Sequence, residues 1–354
     1  MSKVGSQRKN KETNAAVLKQ AMIRRLPRRI HGSGTLGLPA APELLEHYVT
    51  LLHTTFAHLG RTFNTEETDR MREILRRKLA EGWQASPYAK VVVTYQTDEP
   101  PKTSLSYKVG VQVSTIADEY DRWVKTRTPP LFGHHPDSKL MDLARSLGEP
   151  KDVPILDIGA GTGRNTLPLA REGFPVDAVE LAPSLADILK AEVEKEKLPA
   201  RVFQGDALDG SVELPENHYK LVVLAEVIAS HIRDAAQCRI LFEGAAEGLA
   251  SGGLLVFSAF LAGDGYKPDA LARELSQVYW CNLFTRKDFA DAMEGLPFDR
   301  ISDESVYEYE KEHLPAEAWP PTGWFEEWTQ GLDMFDVPKG KAPSELRWLV
   351  YRKR

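Results

Sequence analysis

The sequence predicts an α/β protein: a mostly parallel sheet with helices on both faces, preceded by a mainly helical extension. Three observations predict it. From residue 153 onward, short apolar runs alternate with amphipathic helical segments. The runs "VPILDIG", "PVDAVEL", "KLVVLAEVI" and "GGLLVFSAF" are apolar without alternation, as strands covered on both faces are. The first of them runs straight into a glycine-rich turn and then a helix.

Two regions follow from the pattern: an extension over 1–113 and an α/β domain over 114–354. In the extension, "APELLEHYVTLLHTTFAHL" places Leu44, Leu45, Tyr48, Val49, Leu52, Phe56 and Leu59 near helical spacing. Asn64 with Glu67 three residues later marks the start of a second helix. "YAKVVVTYQT" and "LSYKVGVQV" flank the turn-rich "DEPPK" and predict a hairpin. In the domain, "STIADEYDRWVK" is a helix capped by Ser114 or Thr115, and a second helix covers "KLMDLARSL". "RNTLPLAREG" is a helix ending at Gly173, and "SLADILKAEVEKEK" puts Leu185, Ile188, Leu189 and Val193 on one face. "ARVFQGD" is a strand, and "DAAQCRILFEGAAEGL" is a helix. The tail predicts two last strands, "DRISDESVYEYE" and "ELRWLVYRK", separated by a Pro- and Trp-rich insertion.

Composition narrows the classes. The 354 residues are 42% hydrophobic and 27% charged, enough for a large core. No apolar run is long enough to span a membrane, so no membrane partner is expected. Two cysteines, Cys238 and Cys281, form neither a disulfide framework nor a zinc set. With a polar opening stretch, this predicts a reducing, cytoplasmic setting. The net charge of −6 argues against general nucleic-acid affinity. The first thirty residues differ, with nine Lys or Arg against Glu12 alone. They read as a solvated arm, with phosphate binding or a targeting peptide as alternatives, the latter disfavoured by the lysines and few serines.

The chemistry centres on "ILDIGAGTGRNTLPLAREGFPVDAVELAP". Gly159, Gly161 and Gly163 let a ligand approach main chain closely. The spacing G-x-G-x-G differs from the G-x-G-x-x-G of dinucleotide sites, and Asp157 would repel a pyrophosphate. An acid beside a bare turn suits an ammonium group instead. Glu180, ending the second strand, can accept both hydroxyls of a ribose. Asp206, after the third, can take an adenine amino group. An amino acid, a ribose and an adenine in series describe S-adenosylmethionine (SAM).

The stretch, continued through "QGDAL", "YKLVVLAEVIASHI" and "ASGGLLVFSA", resembles the class I SAM-dependent methyltransferases over about residues 114–354. Within that class, "GRN…LA…G…V.AVE" is similar to the small-molecule methyltransferases of the tellurite-resistance (TehB-like) group. The resemblance implies a Rossmann-like seven-stranded sheet with an antiparallel last strand, "ELRWLVYRKR". It also implies that Asp157, Gly159, Gly161 and Gly163 hold the methionine part, Glu180 the ribose, and Asp206 with Ala207 the adenine. Ala160, Asn165 and Leu181 are further cofactor-binding candidates. The product would be S-adenosylhomocysteine.

Methyl transfer from a sulfonium requires an acceptor in line with the S–CH3 bond and the exclusion of water. No metal is expected. The fourth strand ends in "LAEVIASHI", without the N-P-P-[YF] of enzymes acting on base amines or glutamine. Glu226 and His231 at that end are candidates for a base or an acceptor-binding group. Tyr120, Trp123, His134 and His135 precede the glycine turn and are candidates for a lid. Trp280, Arg286 and Trp324, with Trp319 and Trp328, are candidates for a substrate-side cover over about 263–340. The reading is methyl transfer to N, O or S of a small molecule. The alternatives are RNA or protein methylation guided by the basic arm, and a SAM-binding regulator without turnover.

Overall fold

The computed structural model describes residues 11–102 and 104–354; part of the basic arm, residues 1–10, lies outside them. The chain divides into two compact units, Met1–Val113 and Ser114–Arg354.

The first unit runs α1 (Ala15–Ile23), β1 (Ser33–Pro39), α2 (Leu45–His58), α3 (Thr65–Ala85), β2 (Lys90–Thr97) and β3 (Leu105–Gln112). Asn64 and Glu67 form the expected capping box at the start of α3. The expected hairpin is two-thirds of an antiparallel sheet of order β1-β2-β3. The extra strand, "SGTLGLP", escapes a propensity reading because Gly and Pro are depleted in strands. Its Leu38 joins Val91 and Val93 of β2 in one core with Tyr48, Val49, Leu52 and Phe56 of α2 and Met71, Leu75 and Leu79 of α3. Helix α1 buries no residue.

The second unit opens with α4 (Ile116–Thr126) and α5 (Ser138–Ser146). It continues through β4 (Ile155–Ile158), α6 (Thr166–Arg171), β5 (Val176–Glu180), α7 (Pro183–Glu196), β6 (Ala200–Gln204) and β7 (Tyr219–Leu224). Next come α8 (Val227–His231), α9 (Ala235–Gly248), β8 (Leu249–Ala262), α10 (Ala270–Val278), β9 (Leu283–Phe284) and α11 (Arg286–Met293). The last elements are β10 (Phe298–Ser305), α12 (Val306–His313), α13 (Phe325–Thr329) and β11 (Ser344–Lys353). The sheet order is β10-β11-β8-β7-β4-β5-β6, with the two-residue β9 added beside β8. Strands β4 to β8 are parallel, and β11 lies antiparallel between β8 and β10. One apolar cluster on the sheet gathers Leu140, Leu169 and Phe174, and another gathers Leu241, Phe242 and Phe289. Strand β4 pairs with β5 on one side and β7 on the other, so the chain order reverses there. Ligands bind such sheets beyond the carboxyl ends of the strands flanking that point.

Three local expectations are corrected. The fourth strand stops at Leu224, and Glu226 adopts a left-handed backbone (φ 62°) that turns the chain into α8. The run "DRISDESVYEYE" is a strand only to Ser305, whose side chain then caps α12. Ile188 on α7 is 37% exposed, while Leu185, Leu189 and Val193 are buried.

Candidate active site

The ends of β4, β5, β6 and β7 border one cleft. Asp157, Gly159, Ala160, Gly161 and Asn165 line it from the first turn, Glu180 and Leu181 from the second, and Asp206 and Ala207 from the third. Glu226 and His231 line it from the fourth, and Ile116, Tyr120 and Phe132 from the segment before β4.

The glycine turn is bare for different reasons at its three positions. Gly159 (φ 75°) and Gly161 (φ 58°) have left-handed backbones. A Cβ on Gly159 would stand 2.3 Å from Val227 Cγ2, and one on Gly161 3.3 Å from the Phe132 ring. Gly163 does not line the cleft; its Cβ would strike Leu189 at 2.5 Å, so its bareness lets α7 pack close. Glu180 fastens the turn. Its carboxylate accepts from the Gly161 N–H and the Ala182 N–H, both at 2.8 Å. Burial lifts its pKa, and those N–H groups oppose the rise. Asp157 is buried and accepts a 2.6 Å hydrogen bond from the Thr166 hydroxyl. Burial raises it to about 6, against the pull of Thr166 and Arg164.

Residues 155–253 match the family model described as a methyltransferase domain. The chain carries a class I SAM-dependent methyltransferase domain.

A curated relative, the probable ribosomal RNA small subunit methyltransferase A of Methanosphaera stadtmanae, is 38% identical over 81 residues. The match covers 23% of this chain and 29% of that protein's length. Solved structures share the domain's fold. Geranyl diphosphate C-methyltransferase from Streptomyces coelicolor A3(2) superposes with a TM-score of 0.51 at 13% identity, covering 67% of this chain and 98% of that one. Phosphoethanolamine N-methyltransferase 2 from Haemonchus contortus gives 0.50 at 19%, covering 70% and 62%.

The donor of this domain type is SAM. The residues present fit it: the cleft offers buried carboxylates and an open glycine turn to a cationic nucleoside, and no cluster of cations to a pyrophosphate. No group of side chains able to hold a metal occurs among the described residues.

The methyltransferase domain adds a charge network that sequence reasoning missed. Arg164, from the glycine turn itself, is buried with its guanidinium shared between Asp137 (2.5 Å) and Glu226 (2.6 Å). Burial works against this charge, but the two carboxylates outweigh it and hold the guanidinium protonated. Asp137 and Asn165 exchange two hydrogen bonds, 2.9 and 3.0 Å. Thus Asn165 anchors the chain entering α5. Glu310 accepts from the Ser138 and Lys139 N–H groups and the Trp348 indole; burial and nearby Asp137 raise it to about 7. An arginine inside "GTGRN" was the available signal.

An aromatic cluster stands at the acceptor end. The Tyr120 hydroxyl lies 2.7 Å from His231 Nε2. Burial pulls His231 down to about 4. Trp280 packs against Tyr120 and His231, and Trp123 stacks on Trp280 at 5.2 Å. Trp123 and Trp280 therefore back the cleft without lining it. Phe132, which sequence reasoning passed over, does line it.

The remaining candidates lie elsewhere. His134 is exposed and His135 half-buried, and neither lines the cleft. Arg286 pairs with Asp303 and Asp264 at a 40% exposed position. Trp324 packs on Trp328, which is buried against Phe260, and Trp319 packs on Phe325. The expected tryptophan wall instead packs toward the sheet's core: Trp328 is buried in it and Trp319 packs against it, where an indole gains from burial, while Trp324 stays 38% exposed. Its contribution to the site is indirect: the Pro321 carbonyl would stand 3.0 Å from a Cβ on Gly133, supporting the turn that carries Phe132.

Proposed function

We propose that the chain transfers the SAM methyl group by in-line displacement to a small-molecule acceptor. One observation carries the small-molecule reading: Tyr120 reaches from α4 to His231 of α8 across the cleft, so the acceptor space is roofed. In this reading Asp157 and the turn at Gly159–Gly161 hold the amino-acid end of the donor. Glu180 takes the ribose with the lone pairs its backbone partners leave, and Asp206 with Ala207 meets the adenine. SAM supplies an activated methyl group, so the residues need only align the acceptor and exclude water. Ile116, Tyr120 and Phe132 provide the exclusion. His231 is neutral above about pH 4 and its Nε2 meets the Tyr120 hydroxyl, so in this reading an acceptor that must lose a proton would pass it to the Tyr120–His231 pair. Buried free thiols at Cys238 and Cys281 fit a reducing, cytoplasmic setting. The direct test is a metabolite screen for SAM-dependent gain of one methyl. Loss of SAM binding in the intact protein would end the proposal. Glu180→Ala is expected to weaken SAM binding by about 1.5–3 kcal/mol. Calorimetry that finds unchanged affinity removes Glu180 from the donor site.

A second reading, RNA methylation, has an observation of its own. Residues 1–113 carry 18 Lys or Arg against 10 Asp or Glu, a net +8, while 114–354 carry 27 against 41, a net −14. Arg24, Arg25, Arg28 and Arg29 form no ion pair among the described residues. RNA held this way would dissociate steeply with salt. The expectation under the first reading is weak RNA retention at physiological salt, with SAM binding unchanged when residues 1–30 are removed. Tight, salt-sensitive retention that disappears on truncation would favour RNA.

A further inference from the structure

The charge pattern of the cleft identifies the acceptor's chemistry; the inference rests on the donor arrangement proposed above. The charged residues lining the cleft are Asp157, Glu180, Asp206, Glu226 and Arg164. With the first three assigned to the donor, Glu226 remains at the end of β7. Its Oε1 accepts from Arg164, and its Oε2 accepts no hydrogen bond among the described residues. Arg164 is already shared between two carboxylates. No lining cation is left to meet a phosphate or carboxylate on the acceptor, and Glu226 would repel either.

Rings complete the niche. Tyr120 stands edge-on to Phe132 (5.8 Å, 69°) and to His231 (5.6 Å, 79°). The His231 ring carries no charge near neutral pH and does not oppose a cation. The outer end of the same cluster already holds one: the Arg127 guanidinium lies 3.5 Å over the Trp123 ring. A carboxylate with a free oxygen and an aromatic wall is a site for a positively charged nitrogen.

The geometry points to an amine acceptor, its nitrogen seated between the Glu226 carboxylate and the rings of Tyr120, Phe132 and His231. The ammonium that arrives releases one proton to water. The amine lone pair then forms the N–C bond as the C–S bond breaks, and the breaking pair stays on sulfur. Positive charge thus moves from sulfur to nitrogen, and the product is the methylated ammonium with neutral S-adenosylhomocysteine. Glu226 stabilises the charge where it develops, which is the point at which electrostatic stabilisation accelerates a reaction.

Tetramethylammonium is a suitable probe because it has no lone pair and cannot be methylated. SAM-loaded protein is titrated with it, with inorganic phosphate and with acetate, and indole fluorescence is followed. Saturable tetramethylammonium binding is expected, with neither anion binding. Glu226→Gln keeps the acceptor atom for Arg164 and is expected to weaken the probe about tenfold or more, with SAM affinity unchanged. Phe132→Leu should weaken it as well. Phosphate or acetate binding in preference overturns the inference. So does equal probe affinity in Glu226→Gln, or probe binding only when S-adenosylhomocysteine replaces SAM, which would assign the cation site to the sulfonium. SAM calorimetry on the same samples keeps this outcome distinct from failure of the donor reading.

Discussion

Arg164→Ala is expected to cost about 3–5 kcal/mol of folding stability, because it leaves Asp137 and Glu226 buried without their counter-charge. The side chain is only 10% exposed and Asp137 4%, so water replaces the guanidinium poorly there, while Glu226, 23% exposed on the cleft, loses less. The loss should depend on pH. Burial already raises the Glu226 carboxyl, and without the guanidinium that rise is unopposed. Stability is then present below the unfolded pKa and lost as pH rises through the folded one. Urea unfolding should therefore show a larger deficit near about pH 8 than near about pH 5. Arg286→Ala is the control. Its exposed pairs with Asp264 and Asp303 are worth about 0–1 kcal/mol. A deficit for Arg164→Ala no larger than that of the control would remove the network from the stability account.

Asp157→Asn is expected to separate stability from binding. Burial raises the Asp157 carboxyl from 3.8 to about 6, so at neutral pH its ionised form works against the fold. The sign follows: its contribution is favourable below about 4 and is lost as pH rises through about 6. Removing the charge should stabilise the protein without ligand by about 1–3 kcal/mol at neutral pH. The same exchange should abolish most SAM binding, since the donor's ammonium loses its carboxylate. In the unmodified protein SAM affinity should fall as pH drops through about 6, and the variant should lack that step. Thermal unfolding and calorimetry across that range decide both. A destabilised variant that still binds SAM would contradict the assignment.

That Asp157, the glycine turn and Glu180 share one cleft was legible because their determinants are local. "LDIGAGTG" places an acid and three glycines of positive φ within a few residues, and "AVELA" ends the neighbouring parallel strand, so topology alone brings Asp157 and Glu180 together. The sheet was legible for the same reason: each buried strand is a continuous apolar run. Other features depend on distant partners. Arg164 acquires its meaning only beside Asp137 and Glu226, at 27 and 62 residues' separation. Phe132 lies in a loop without periodicity, and the Pro321 segment beside its Gly133 turn is distant in sequence. The tryptophans of 319–328 were read as a pocket wall since composition cannot tell which indoles face a sheet and which face a ligand. Strand β1 was hidden by its glycines, yet β2 supplies the pairing edge that draws it in.

The indole pair of Trp123 and Trp280 makes the segment over the cleft visible to light. Their rings are nearly parallel, 10° apart in plane at 5.2 Å, and one belongs to α4 while the other follows α10. A guanidinium caps the outer ring. A displacement of α4 from Trp280 would part the stack while Arg127, at the end of α4 itself, travels with Trp123, and the parting would alter indole emission. The protein thus carries its own label: stopped-flow fluorescence, with no dye and no engineered residue, can time the opening and closing of the cleft.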